Sequence, residues 1–163
     1  MSEGNLNSQL QAYKEVYAGG TFQSTHQSLV KAVQNLRTDF HKKYKATMSV
    51  ASVMHGYIDF TYFYLQTEYL KKKKLKLAIV LNHQEVQFEL WLLGQTKDVQ
   101  RDYWEKLKST KWVTNEEMPE YSIFEVVLLS SPDFDNSTSL MESIHSAFNS
   151  VAAEINNMLD GYE

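Results

Sequence analysis

Residues 74–93 read KLKLAIVLNHQEVQFELWLL, and this stretch decides the fold class of the chain. It holds two apolar runs with almost no gap between them, a pattern that only a β-hairpin fits. A two-residue turn at Asn82-His83 would place Leu77 opposite Phe88, and moving the turn by one position keeps the same residues on each face. The face that we expect to be buried consists of Leu75, Leu77, Ile79, Val86, Phe88 and Leu90.

Two amphipathic helices are predicted before the hairpin. The first covers residues 6–18 and ends at Gly19-Gly20, because apolar side chains recur there every three or four positions. Its apolar stripe consists of Leu6, Leu10, Tyr13 and Tyr17. The second helix opens at Ser24, which forms a capping-box pattern with Gln27. Its stripe consists of Leu29, Val33, Leu36, Phe40 and Tyr44. Both helices are polar elsewhere, so we expect each to bury its stripe against another element.

Further strands flank the hairpin. Tyr57–Leu65 alternates with a period of two and predicts a strand. Its core face would carry Ile58, Phe60, Tyr62 and Tyr64. Residues 47–54 fit either another strand or an irregular lead-in. Tyr121–Ser130 predicts the last strand, and a helix over residues 97–109 separates it from the hairpin. Such a strand–helix–strand unit allows the last strand to lie parallel to an earlier one.

The sequence closes with a long helical pattern that begins near Asn136–Ser139. Its apolar residues follow at spacings of three and four, and they are Met141, Ile144, Phe148, Val151, Ile155, Met158 and Tyr162. This stripe would cover the sheet or, as an alternative, form a homodimer interface. Together the patterns predict one α+β domain over residues 1–163, with helices packed on a mainly antiparallel sheet of four or five strands.

Composition restricts the class of protein. The formal net charge is −4, and nucleic-acid binding is not expected because phosphate neutralisation by basic groups supplies most of that affinity. The chain has no cysteine, which excludes thiol catalysis and favours a reducing compartment. No apolar run reaches the length of a membrane span and the first residues lack signal-peptide features, so we expect a cytoplasmic protein. The basic run Lys71–Lys74 is typical of a solvated turn between strands.

Three groups of short motifs occur along the predicted strands. They are Gly56-Tyr57-x-Asp59-x-Thr61-Tyr62-Phe63, then Leu75-Lys76 with Val80, and Phe88-Glu89-x-Trp91-Leu92 with Gly94. These motifs resemble an uncharacterised bacterial domain family. The resemblance covers roughly residues 25–155 and continues through Val99-Gln100 and Tyr103-Trp104 to the strand around Glu125. It implies a single domain and a bacterial cytoplasmic setting, and it supplies no catalytic residues.

A polar and aromatic face of the predicted sheet is the candidate site. Asp59 lies within an otherwise aromatic strand, where an unpaired buried carboxylate would cost roughly 2–7 kcal/mol. We therefore expect Lys76, a tyrosine hydroxyl or a backbone amide to hold it. The hairpin register would pair Lys76 with Glu89 and Lys74 with Trp91. The candidate ligand-binding residues are Tyr57, Asp59, Thr61, Lys76, Glu89 and Trp91, and a polar network that serves only the structure is the alternative.

These observations favour a small cytoplasmic module that binds a small molecule or a protein, without catalysis. The alternative is a metal-dependent hydrolase or a degenerate nuclease-like domain that uses Asp59 and Glu89, although a lysine two positions after Glu89 is missing. No histidine pair has the spacing of a helix-borne metal site, and no phosphate-binding or nucleophile-elbow motif occurs. We expect no cofactor and no resident metal.

Overall fold

The computed structural model describes residues 5–162 and has an α+β fold. The helices are α1 (Leu6–Ala18), α2 (Thr21–Tyr44), α3 (Glu68–Lys72), α4 (Lys97–Leu107) and α5 (Ser137–Asp160). The strands are β1 (Ser49–Val50), β2 (Phe60–Gln66), β3 (Leu75–Asn82), β4 (Gln87–Gly94) and β5 (Phe124–Leu129). The predicted fold class is confirmed, including the long C-terminal helix.

The five strands form one antiparallel sheet in which every strand lies beside its neighbours in sequence. The region 47–54 contributes the two-residue strand β1 and an isolated bridge between Met54 and Tyr62. The expectation that β5 could lie parallel to an earlier strand is wrong. Phe124 at the start of β5 pairs with Leu92 near the end of β4. The chain therefore enters β5 at the end of the sheet where β4 stops and runs back beside β4 in the opposite direction.

The hairpin of β3 and β4 has the predicted faces but a different register. β3 ends at Asn82 and β4 begins at Gln87, which places Leu77 opposite Leu92 instead of Phe88. Because this shift involves an even number of positions, the same side chains still share one face. The predicted core residues that the structure buries on this face are Leu75, Leu77, Ile79, Phe88 and Leu90.

The turn of the hairpin is longer than predicted because Asn82 stabilises it from within. The Oδ1 atom of Asn82 accepts hydrogen bonds from the backbone N–H groups of Gln84 and Glu85, at 3.0 and 3.2 Å. Val86 follows in the turn with a φ of 50° and is 41% exposed. Its predicted place on the buried face is therefore wrong.

The main hydrophobic core lies between one face of the sheet and the helices α2 and α5. The ring of Phe40 on α2 lies 5.7 Å from that of Phe63 on β2 and 5.2 Å from that of Phe148 on α5. The side chains that β2 turns toward this core are Thr61, Phe63 and Leu65. The predicted core face of β2 is therefore wrong, because Phe60, Tyr62 and Tyr64 lie on the opposite, half-buried side.

The ends of the helices show where local signals operate. α2 begins at Thr21 after Gly20, whose φ is 73°, and Ser24 lies inside the helix instead of capping it. The predicted burial of the α1 stripe is wrong, because none of the residues of α1 is buried.

Among residues 5–162, no helix combines the length and the apolarity needed to cross a bilayer.

Candidate functional site

The outer face of the sheet, opposite the main core, carries a pocket of about 480 Å³. The register explains how it forms. Tyr62 and Tyr64 of β2 lie beside Val80 and Ala78 of β3, and Trp91 of β4 lies on the other side of Ala78. Ala78 and Val80 on the central strand are small, and the aromatic side chains on both sides of them extend further from the sheet. This difference in height leaves a trough along the sheet, with Ala78 and Val80 as its floor.

Two loops complete the wall of the pocket. Gly56 has a φ of 62°, and a Cβ atom there would lie 2.0 Å from the carbonyl oxygen of Phe60. Only glycine fits this position, so the chain folds back tightly before β2 and directs Tyr57 and Asp59 to the rim. Tyr57, at 85% exposed, stands free of the sheet.

The opposite wall is held by α4. Gln100 is buried, and its side-chain N–H donates hydrogen bonds of 2.9 Å to the carbonyl oxygens of Pro119 and Ser122. The Nζ atom of Lys97 donates to the carbonyl oxygen of Glu120. These bonds fasten the segment before β5 to the first turns of α4, which positions Tyr121 at the pocket rim.

Lys76 is the charged group on the strands that line the pocket. Its Nζ atom lies 3.7 Å from the ring centroid of Tyr64, a cation–π contact, and burial lowers the pKa of the amine. Among residues 5–162, Lys76 forms no ion pair. The predicted pairing with Glu89 is wrong, because Lys76 lies opposite Leu93 in the sheet.

The tyrosines of the pocket supply hydroxyl groups. Burial, followed by hydrogen bonding and charge interaction with Tyr62, raises the pKa of Tyr64 to about 12. The Tyr64 hydroxyl is therefore protonated at neutral pH. At the rim, the charge of Glu120 is the main cause that raises the pKa of Tyr121, and the charge of Asp59 adds to it. Asp59 and Tyr121 thus lie within electrostatic range of each other.

Asp59 has a local role that differs from the one expected. It precedes β2, is exposed, and its Oδ1 atom accepts a 2.7 Å hydrogen bond from the N–H of Phe60. The backbone amide, one of the three partners considered above, is thus the one found, and Lys76 is not. The backbone carbonyl of Asp59 accepts a hydrogen bond from the N–H of His83, and this bond ties the loop to the hairpin turn.

Glu89 shares the outer face of the sheet but does not line the pocket. It is buried, at 4% exposed, and three side-chain N–H groups donate to its carboxylate. These donors are Asn82 (3.1 Å), Gln87 (2.6 Å) and Trp91 (2.9 Å). Because both carboxylate oxygens are engaged, the geometry gives no support to Glu89 as a metal ligand or general base. Among residues 5–162, no group of three or more acidic or histidine side chains is arranged to hold a metal ion.

Thr61 lies on the other side of the sheet, so its predicted position beside Lys76 is wrong. It is fully buried, and its hydroxyl donates to the carbonyl oxygen of His55 at 3.0 Å. The Nε2 atom of His83 lies 2.8 Å from the same hydroxyl oxygen. The Thr61 hydroxyl has one proton, and it uses this proton in the hydrogen bond to the backbone carbonyl of His55. The N–H of His83 is therefore the donor in the second bond.

The structure therefore brings four of the six candidate residues to one pocket, namely Tyr57, Asp59, Lys76 and Trp91. The pocket residues that sequence reasoning missed include Phe60, Tyr62, Tyr64 and Gln100. The sequence pattern predicts the first three in the core because the other face of the strand mixes polar groups with large side chains. The sequence feature that indicates the correct position is the hydroxyl group of Tyr62 and of Tyr64. A tyrosine favours a half-buried position in which the ring is covered and the hydroxyl lies near water.

A second polar cluster joins α2 to α5 on the far side of the core. His145 is buried and stacks on Phe40, with 4.3 Å between ring centroids. Its Nε2 atom lies 2.6 Å from the carboxylate of Asp39 and its Nδ1 atom 2.9 Å from the hydroxyl of Tyr44. Every ring nitrogen has a partner, so this cluster fixes the two helices to each other.

The fold and the site together define a class: an α+β domain whose helices cover one face of a single sheet and whose other face carries an aromatic pocket. The chain belongs to the family described as Domain of unknown function (DUF7000), whose model matches residues 6–159. This agrees with the resemblance to an uncharacterised domain family. Comparison with the curated proteins and with the solved structures gives no match.

Proposed function

We propose that this domain binds a small molecule in the outer-face pocket and does so without catalysing a reaction. The observation that carries the proposal is the pocket itself. Its volume of about 480 Å³ falls within the range of roughly 300–1,000 Å³ that is typical of small-molecule sites, and its lining is mainly apolar and aromatic with a few polar groups.

The architecture supports the same proposal. A solvent-facing side of an antiparallel sheet is ordinarily polar, whereas this side carries a second apolar cluster. The buried members of that cluster are Ala78, Val80, Trp91 and Leu93, and the half-buried ones are Phe60, Tyr62 and Tyr64. The three half-buried rings remain partly open to solvent, and an apolar patch that is open to solvent is typical of a binding surface. We place this function in the cytoplasm, in keeping with a chain that has no cysteine.

A thermal-shift screen of small aromatic compounds tests this function. Compounds that bind the folded protein raise its melting temperature by mass action, and at about 100 times Kd the stabilisation is about 2.7 kcal/mol. The Ala78→Leu variant fills the floor of the trough, so it should lose the rise. The control Val127→Leu enlarges an exposed residue of β5 and should keep it. The same rise in wild type and in Ala78→Leu would contradict a site in this pocket.

A further inference from the structure

Lys76 is a partly buried cation that lines the pocket. The amine is half-buried on the sheet surface, and within residues 5–162 its close partner is the face of the Tyr64 ring. A cation that is removed from water without a carboxylate partner is destabilising, and a bound anion would supply what the protein does not.

The acidic groups of the pocket do not meet this need. Asp59 and Glu120 are both exposed at the rim, where water solvates them, and the Oδ1 atom of Asp59 is hydrogen-bonded to the backbone of Phe60. Exposed charges at a rim gain little from a ligand, whereas a half-buried charge gains more because screening is weaker there.

The rest of the lining determines the body of the ligand. The half-buried rings of Phe60, Tyr62 and Tyr64 offer apolar surfaces beside the small floor residues. A planar aromatic body fits these surfaces because aromatic rings pack face to edge or with an offset. The first turn of α4 lines the pocket near Gly94, and its partial positive charge acts in the same direction as Lys76.

We propose that the pocket selects planar aromatic molecules that carry one anionic group, and that the ammonium of Lys76 binds this group. This inference rests on the proposed function of the pocket. It names the ligand by its chemistry: an aromatic carboxylate, sulfonate or phosphate of a size that fits the trough.

Two fluorescent probes that differ in one anionic group test the inference. They are 8-anilinonaphthalene-1-sulfonate and its uncharged parent N-phenyl-1-naphthylamine, titrated into the full chain. In Lys76→Met we expect the sulfonate probe to bind about tenfold more weakly, equivalent to about 1.4 kcal/mol, and the uncharged probe to bind as before. Lys76→Arg keeps the charge and should keep most of the preference.

Two controls separate charge at the site from other effects. Lys31→Met removes an exposed lysine of α2 and changes the net charge equally, so it should alter neither affinity. Tyr13→Ser reduces the exposed apolar stripe of α1 and should leave both affinities unchanged.

The outcomes distinguish the inference from the function on which it rests. If Ala78→Leu abolishes binding of both probes and Lys76→Met changes neither, the pocket binds ligands but the charge selection is wrong. Tighter binding of the sulfonate probe to Lys76→Met would also overturn the inference, since the ammonium would then oppose the anion instead of binding it. If Ala78→Leu leaves both probes bound, the site is elsewhere and the proposed function fails.

Discussion

Two charged residues of the same sheet face have opposite environments. Glu89 is buried and accepts hydrogen bonds from three side chains of its own hairpin, so its charge is satisfied within the protein. Lys76 has the ring of Tyr64 as its close partner. A buried carboxylate with several N–H donors is typical of a structural group, whereas a half-buried ammonium beside a pocket is available to a ligand.

The surroundings of His83, which stacks on His26, predict that stability depends on pH. The ring centroids lie 4.9 Å apart, and His83 packs over the buried hydroxyl of Thr61. Burial is the largest cause that lowers the pKa of His83, the charge of His26 lowers it further, and the charge of Asp59 opposes both. The folded protein therefore holds a proton on His83 less tightly than the unfolded chain does.

This difference predicts a loss of stability in acid. Unfolding takes up a proton below the ordinary histidine pKa of about 6.5, so the contribution of His83 is complete above that pH and decreases as the pH falls. Denaturant melts between pH 8 and pH 5 measure it. His83→Gln should flatten this part of the profile, while the exposed His41→Gln should retain it. Equal slopes for wild type and His83→Gln would contradict the assignment.

Single residues also limited what could be predicted about the site. The mixture of polar and aromatic side chains on the predicted strands identifies four residues that line one pocket. They are Tyr57, Asp59, Lys76 and Trp91. The prediction misplaces Thr61 because the pattern of Tyr57–Leu65 indicates one straight strand with a polar outer face. Gly56 and the Asp59 side chain interrupt it, and β2 begins only at Phe60.

At the scale of elements, the hairpin shows which features of a sequence pattern are robust. The alternation of apolar side chains determined the buried face of β3, while the register depended on the side chain of Asn82 in the turn. The strand β2 lacks such an asymmetry because aromatic residues occupy both of its faces. Its orientation is decided by contact with α2 and α5, which a pattern within one strand does not contain.

The hairpin also gives a matched pair of substitutions. Leu77 is buried in the main core at 4% exposed, so Leu77→Ala should lower the free energy of unfolding by about 2–5 kcal/mol. Val86 lies in the turn at 41% exposed, and Val86→Ala should change stability by less than about 0.5 kcal/mol. Equilibrium denaturation measures both values. Similar losses at the two positions would favour the two-residue turn over the longer one.

Helix α1 illustrates the limit of periodicity at the same scale. Its apolar residues have helical spacing, and the helix forms from Leu6 to Ala18 with Asn5 accepting the N–H of Ser8. Spacing predicts which side chains share a face of a helix, but burial requires a partner surface within reach. The exposed apolar residues of α1 show that these two properties are independent.

At the scale of the whole molecule, the two faces of the sheet have different surroundings. One face builds the main core with α2 and α5, so stability is concentrated there. The other face has its own smaller apolar cluster and the pocket, with loops before β2 and before β5 as walls. A substitution in the pocket can therefore test the proposed binding while the main core remains packed.

The most direct test of the account is to map a bound probe on the protein by NMR. In 1H–15N spectra of the full chain, 8-anilinonaphthalene-1-sulfonate should shift the amide signals of the strand segments that line the pocket, at residues 62–64, 76–80 and 91–93. The shifts should be absent in Ala78→Leu. Shifts that concentrate on α1 or on the helical side of the sheet, with the pocket strands unchanged, would contradict a ligand site on the outer face.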